Sequence, residues 1–382
     1  MGSIMILKVA DNIISPLGMT TEENLHSILS GRSELRHYSG LFGLPEDFCG
    51  SLIDRDYIEK VFTSRFDNTR TYFFFEKLCI LSAEYSIKEG HIDPKKEDVV
   101  FVISSTKGNV EYLAEDLKDE GCYIGNSALR ISQFFGNTNA PIVASNACIS
   151  GVCAQIAAIR QLLTGKYRTA IVIGADTLSK FIISGFQSFK ALSPNECKPY
   201  DKDRIGLNLG EAVGSMILQV TSDTVNGSWQ YKSCSIHNDA NHISGPSRTG
   251  EGSFRVLKDV LHGIDQSDLA FISTHGTATA YNDEMESIAM HRAGLDEIPV
   301  CGLKGFYGHT LGAAGLIETI LAMSALDKDL VLPTRGYKTQ GTTYALNLSD
   351  EVRTTTKRTF IKILSGFGGS NAGIAYQKGG DK

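Results

Sequence analysis

Apolar positions recur along this chain in two rhythms. Short unbroken runs read as strands buried on both faces, and runs spaced by three and four residues read as helices. Residues 7–14 form the first strand, closed by the turn Ser15-Pro16-Leu17-Gly18. Thr20 or Thr21 then caps a helix bearing Leu25, Ile28 and Leu29, with Gly31 as its stop. Residues 32–65 have no clear rhythm and read as irregular. Residues 70–89 read as a helix with Phe74, Leu78, Leu81 and Tyr85 on one face, and 98–105 as a buried strand followed by a helix around 112–117. Residues 142–144 read as the end of another buried strand. After the small turn Ser145-Asn146-Ala147 comes Cys148, then Val152, Ile156, Ile159 and Leu163 at helical spacing up to Gly165. Strands at 169–174 and 212–220 complete this stretch.

From Trp229 a similar alternation begins. Strands are expected at 232–237, 269–275 and 300–303, and helices at 252–262, 283–293 and 312–326. Two further strands, 359–364 and 372–376, flank a glycine turn. Alternating strands and helices predict an α/β protein with mostly parallel sheets. A strand, a reactive residue and a helix follow one another after Ser145 and, more loosely, after Thr274. This points to two related halves, 1–225 and 226–382, packed as one unit, although no strong internal repeat joins them.

Composition narrows the reading. With 382 residues, 42% of them hydrophobic, the chain is long enough for a large core or two fused ones. A net charge of -6 argues against a nucleic-acid binder, which needs a basic stripe. The eight cysteines form no Cys-x-x-Cys pair and no zinc-ligand spacing with histidine, so no structural zinc is expected. No basic-then-apolar leader and no bilayer-length apolar run is present, and the expectation is a soluble cytoplasmic protein with reduced thiols.

The candidate chemistry lies in four segments. Cys148 is expected in the first turn of a buried helix, where unpaired N–H groups and the helix dipole favour a thiolate nucleophile. The plainer alternative is a buried core cysteine. Three glycine-rich segments each put a polar residue at a strand end: Thr274-His275-Gly276-Thr277-Ala278-Thr279, Gly302 to Gly315 with Lys304 and His309, and Gly366-Phe367-Gly368-Gly369-Ser370-Asn371. Taken singly, each histidine could be structural, Lys304 a surface charge, and the last segment a hairpin turn. None fits a phosphate loop or a dinucleotide fingerprint.

Together these segments resemble the β-ketoacyl synthases of the thiolase superfamily, the condensing enzymes of fatty-acid and polyketide synthesis. The resemblance covers nearly the whole chain. It includes Lys198-Pro-Tyr-Asp201-Lys-Asp-Arg204, Leu209-Gly210-Glu211-Ala212, and the stretch from Gly174 through Phe186 to Ser193. It implies a thiolase-like fold, two related halves in a layered αβαβα sandwich, and no metal or redox cofactor. By the same resemblance Cys148 is the nucleophile, and His275 and His309 stabilise the malonyl enolate. Lys304 supports His309 with Glu318 as its partner. Thr277 and Thr279 bind the pantetheine arm. The backbone N–H groups of Cys148 and Phe367 hold an oxyanion, the Phe367 ring gates the acyl pocket, and Gly368 belongs to the same substrate-binding loop. The implied partners are an acyl carrier protein, with Arg65 and Arg70 as docking candidates, and a second synthase chain in a homodimer or a heterodimer.

Departures from the common pattern bear on the substrate. The nucleophile motif reads Ala-Cys-Ile-Ser, Ala278 replaces a usual glycine between the two threonines, and Ser104-Ser-Thr-Lys107-Gly-Asn replaces a glycine-rich turn. They point to a secondary pathway, such as polyketide or aryl-polyene synthesis. Two alternatives stand beside the condensing enzyme. One is a non-catalytic partner subunit resembling a chain-length factor, which the complete set of candidate residues disfavours. The other is a coenzyme-A thiolase, disfavoured because no cysteine follows Cys301.

Overall fold

A computed structural model of the chain describes residues 4–66, 71–114, 120–222 and 226–380. The boundary expected between the halves borders residues outside that set. Ten strands build the main sheet. In chain order they are β1 (Met5–Ile14), β2 (Val99–Ser104), β3 (Ile142–Ala144), β4 (Thr169–Asp176), β5 (Ala212–Thr221), β6 (Trp229–Asn238), β7 (Leu269–Ser273), β8 (Val300–Cys301), β9 (Thr359–Gly366) and β10 (Ser370–Lys378). Their spatial order is β8-β7-β9-β10-β6-β1-β5-β4-β2-β3. The seam is short: β1 meets β6 only at Leu7–Gln230 and Lys8–Trp229. Outward from it, both sides repeat one pattern of two antiparallel and then two parallel pairings. The apolar runs explain the strands, since every residue of β2 and β4 is buried.

Helices cover and separate the two sides. Helix α1 (Phe74–Glu89) packs on β1, β4 and β5, and α3 (Glu251–Val260) packs on β6, β9 and β10. Between the sides lie α2 (Ser150–Leu163) and α5 (Ala314–Leu326); α4 (Ala280–Arg292) rests on α3. Each central helix touches strands of both sides, α2 reaching β2, β4 and β10 and α5 reaching β4, β5, β7 and β9. The result is the layered αβαβα sandwich of the thiolase-like fold.

The two central helices meet almost backbone to backbone. A Cβ on Gly151 would stand 2.7 Å from the Leu316 nitrogen, and one on Gly315 would stand 2.6 Å from the Val152 nitrogen. No side chain fits there, so glycine is required for close approach. Gln155 Nε2 donates to the carbonyls of both Gly151 (3.1 Å) and Gly315 (3.0 Å), while its oxygen accepts from the Tyr376 hydroxyl (3.1 Å). This crossing brings the start of α2 beside the start of α5, where Cys148 and His309 lie.

Several sequence expectations are corrected. Residues 32–65 are not irregular: they contain strands Arg36–Tyr38 and Phe48–Ser51 and a helix Arg55–Arg65. That helix buries only Ile58 and Phe62, too thin an apolar stripe to show as a rhythm. Helix α1 begins at Phe74, and the expected Arg70 start lies outside the described residues. In place of a helix at 112–117 there is a 3-10 turn, Val110–Ala114; residues 115–117 are outside the described set. Strand β3 is half-buried at the sheet edge rather than buried. Helices Ile124–Phe134 and Lys180–Ser188 were not expected. No helix among the described residues is long and apolar enough to cross a membrane.

Candidate active site

Each reactive side chain stands on a loop that leaves a strand and enters a helix. Cys148 precedes α2 by two residues instead of sitting in its first turn, as the sequence led one to expect. Its turn is held by Ser150, whose hydroxyl donates to the Ala147 carbonyl (2.6 Å) and accepts the Asn146 N–H (2.8 Å). Ala147 is left-handed at φ 43°, as are Ala278 at 62° and Leu311 at 52°. Each of these strained residues lies within three positions of Cys148, His275 or His309. Such strain, roughly 1 kcal/mol or more per residue, persists only where the surroundings fix the chain.

His275 follows β7. Its backbone is fastened by Glu286 on α4, which accepts the N–H groups of His275 (2.7 Å) and Gly276 (2.8 Å) and the Tyr200 hydroxyl (2.8 Å). Asp283 on the same helix accepts the N–H groups of Thr277 (3.0 Å) and Tyr200 (2.7 Å). Burial and the neighbouring Glu286 push the Asp283 carboxyl up to about 7. His309 is placed by its N–H donating to the Asn208 carbonyl (2.7 Å) and by the Leu311 N–H donating to its Nδ1 (3.3 Å). Asp176, at the end of β4, reaches across and accepts the N–H groups of Gly312 (2.6 Å) and Thr106 (2.9 Å) and the Ser105 hydroxyl (2.6 Å).

These loops converge. Donor atoms of Cys148, His275 and His309 lie within 4.8 Å of one another, and all three residues are buried. The two imidazoles meet edge to face at 5.0 Å. Lys304 is buried beneath them and donates to the His275 carbonyl (2.6 Å) and to Glu318 Oε1 (2.9 Å). The Lys304–Glu318 pairing is therefore present, but Lys304 grips the His275 backbone and not His309. The Phe367 N–H faces the Cys148 sulfur. A Cβ on Gly366 would stand 3.2 Å from the Cys148 nitrogen, so glycine there lets the two loops touch. Ser370 ties them further, its hydroxyl donating to Asn146 Oδ1 (3.1 Å).

The substrate-side candidates lie around this core. Phe367 is partly exposed and stacks on Phe186 at 5.8 Å, with Phe189 edge-on at 5.6 Å. Gly368 is exposed at φ 88°, and its N–H donates to the Ile243 carbonyl (2.7 Å). Thr277 and Thr279 share a hydroxyl contact of 2.9 Å. Of the carrier-docking candidates, Arg65 is paired with Glu84 (3.2 Å), and Arg70 lies outside the described residues.

The electrostatics correct one expectation. The Cys148 thiol is not easily ionised. Burial pushes it up to about 11, and the positive charges of Lys304 and Lys107 and the Phe367 N–H offset this only in part. Burial also pulls both histidines well below their ordinary value, helped by Lys304 and Lys362. Neutral His309 accepts at Nδ1, so its proton is on Nε2, an atom with no partner and an N–H donor free for a ligand. Cysteine and two histidines are a familiar cation-binding set, but the Leu311 N–H on Nδ1 opposes metal binding through Nε2. That binding mode would place a second N–H against it. The same donors suit an oxyanion.

Lys362, Glu286, Asp283 and Asp176 complete the framework. Lys362 carried no assignment from sequence, although a lysine between Ile361 and Ile363 in a buried strand is itself a signal that a partner must exist.

Comparison with known proteins agrees in extent. Residues 6–224 match the family model "Beta-ketoacyl synthase, N-terminal domain", and residues 230–338 match "Beta-ketoacyl synthase, C-terminal domain". A putative mitochondrial 3-oxoacyl-[acyl-carrier-protein] synthase of Schizosaccharomyces pombe is 24% identical, covering 96% of this chain and 97% of that protein. Nodulation protein E of Rhizobium leguminosarum bv. trifolii is 27% identical over 66% of this chain, and the match spans 65% of that protein's length. Among solved structures, the ishigamide ketosynthase/chain length factor superposes with a TM-score of 0.86 at 21% identity, covering 98% of this chain and 99% of that one. A β-ketoacyl synthase from Burkholderia phymatum gives 0.85 at 20% identity, covering 98% and 100%.

Proposed function

This chain belongs to the β-ketoacyl synthase family, and on that premise we propose that it is an active β-ketoacyl-(acyl carrier protein) synthase. It joins an acyl group held on Cys148 to a malonyl thioester with loss of carbon dioxide. The observation that carries the reading is the buried convergence of one thiol and two imidazoles within 4.8 Å. A non-catalytic partner subunit would have no use for it.

In the first step the Cys148 sulfur attacks the acyl thioester carbonyl. The new C–S bond forms, the bond to pantetheine breaks, and the thiol proton ends on the departing pantetheine sulfur. With its thiol near 11, Cys148 needs a proton acceptor during attack, and the neutral imidazole of His275 is the adjacent base, since His309 already holds its proton on Nε2. The N–H groups of Cys148 and Phe367 receive the oxyanion. In the second step the malonyl C–C bond to the carboxylate breaks and carbon dioxide leaves. The electron pair becomes an enolate, whose oxygen takes N–H bonds from His275 and His309. The enolate carbon then attacks the acyl carbonyl, the Cys148 C–S bond breaks with its electron pair left on sulfur, and the sulfur takes up one proton from water as the β-ketoacyl product leaves.

Thr277 and Thr279 contact the pantetheine arm, and the Phe367 ring, wedged against Phe186 and Phe189, gates the acyl channel. The repeat of strand pairings about the β1–β6 seam supports dividing the chain into halves at 225/226. The acyl donor is a carrier-protein thioester of fatty-acid, polyketide or aryl-polyene synthesis, and the working unit is a dimer, with a second copy or with a related partner chain.

The test is carbon dioxide release from malonyl-carrier protein together with β-ketoacyl product. His309→Ala is expected to lower release by about 10²–10³-fold, the usual cost of removing an oxyanion donor. Unchanged release would remove the role given to His309.

A further inference from the structure

Lys362 lies in β9 and is 0% exposed. Its ammonium donates to the Thr274 carbonyl (2.7 Å), to the Ser273 carbonyl (3.3 Å) and to Glu318 Oε2. Glu318 gives its other oxygen to Lys304, which in turn donates to the His275 carbonyl. Three consecutive carbonyls at the end of β7, those of Ser273, Thr274 and His275, are thus gripped by two ammonium groups that share one carboxylate. Two lysines thus lean on one glutamate, and the next carboxylate, Glu286 on α4, is taken up with the His275 and Gly276 N–H groups.

We propose that Lys362 is a positioning residue of the condensing centre: it fixes the strand end that presents His275 and adds, beside Lys304, a second positive charge that favours the enolate over the bound malonyl group. The inference rests on the reading of the site as a decarboxylating centre. A buried strand position needs no charge for stability, and removing the ammonium alone would leave a balanced Lys304–Glu318 pair. Burying a second lysine is costly, so a merely structural account would favour an apolar residue here. Other titratable groups facing the cluster are Glu286 from α4, Cys301 from β8, and Tyr307, and Cys148 lies beyond the imidazoles. Burial lowers the affinity of Lys362 for its proton, and Lys362 acts with Lys304 to keep both histidines neutral. Neutral rings remain N–H donors without holding a charge that would compete for the malonyl carboxylate.

The experiment follows the imidazole protons of His275 and His309 by NMR titration in wild type, Lys362→Met and Lys362→Arg. It is paired with the pH profile of malonyl decarboxylation. Lys362→Met is expected to raise both histidine midpoints by about one pH unit. The acid limb of the decarboxylation profile should move up equally, with kcat down roughly tenfold and KM within about twofold. Lys362→Arg restores the wild-type profile. If Lys362→Met does not fold, Lys362→Gln, which keeps a donor for the Thr274 carbonyl without the charge, gives the same reading. Unchanged midpoints in a folded neutral variant would overturn the proposal, as would wild-type histidines titrating near their ordinary 6.5. Shifted midpoints in a protein that releases no carbon dioxide would instead break the condensing-enzyme reading and leave the electrostatic role of Lys362 standing.

Discussion

The two sides of the sheet share one topology and divide the chemistry unequally. On one side the edge strand β3 leads through a tight turn to Cys148 and the central helix α2. On the other, the edge strand β8 leads through Lys304 and His309 to the central helix α5. The first side contributes a single buried thiol and a carboxylate, Asp176, that fastens backbone. The second contributes both imidazoles and the Lys304–Glu318–Lys362 cluster, a nearly complete electrostatic environment in which the thiol is a guest. The glycine crossing at Gly151 and Gly315 makes the two equivalent loops adjacent, and the residue types in them make the loops different. Topology fixes where a reactive group stands, and local burial and charge fix what that group does.

The sharpest way to break this comparison is to remove the carboxylate that the second side depends on. Glu318→Gln leaves Lys304 and Lys362 buried without a counter-charge, and is expected to cost about 3–5 kcal/mol in urea unfolding. Cys148→Ser on the first side should stay within about 1 kcal/mol. Equal small losses would mean that the cluster is not the scaffold described here.

A smaller effect sharpens the picture of the thiol. With burial holding Cys148 near 11, its alkylation by iodoacetamide, followed on the Cys148 peptide, should rise roughly tenfold per pH unit from 7 to 10. The sign follows from the thiol: raising pH toward its value increases the reactive thiolate. A plateau already reached near neutrality would show a thiol ionised at rest, contradicting the dominance of burial over the helix terminus.

Much of this organisation was legible along the chain, and the reasons are physical. Continuous apolar runs such as Val99 to Ile103 have few alternatives to a strand buried on both faces. Glycine beside histidine marks places where backbone must approach closely, which is why the Gly308-His309 and His275-Gly276 loops stood out. The ionisation of Cys148 is not legible because a helix terminus is visible in sequence, whereas the depth of burial that opposes it depends on loops from four parts of the chain. Lys362 escaped for a similar reason. Its partner Glu318 is 44 residues away, and nothing local says that the glutamate paired with Lys304 also holds Lys362. The helix Arg55–Arg65 leaves little trace in the sequence because it buries only two side chains. Its neighbour Ile53 nonetheless bonds through its N–H to Glu211 Oε2 (2.9 Å), a buried carboxyl pushed up to about 7.

The most direct test of the central claim is the intact mass of the protein after incubation with acyl-carrier-protein thioesters, followed by malonyl-carrier protein. The account predicts one acyl adduct per chain, located on Cys148 and absent in Cys148→Ala, that disappears as the β-ketoacyl product forms. An adduct on another residue, or product formed at the wild-type rate by Cys148→Ala, would contradict it.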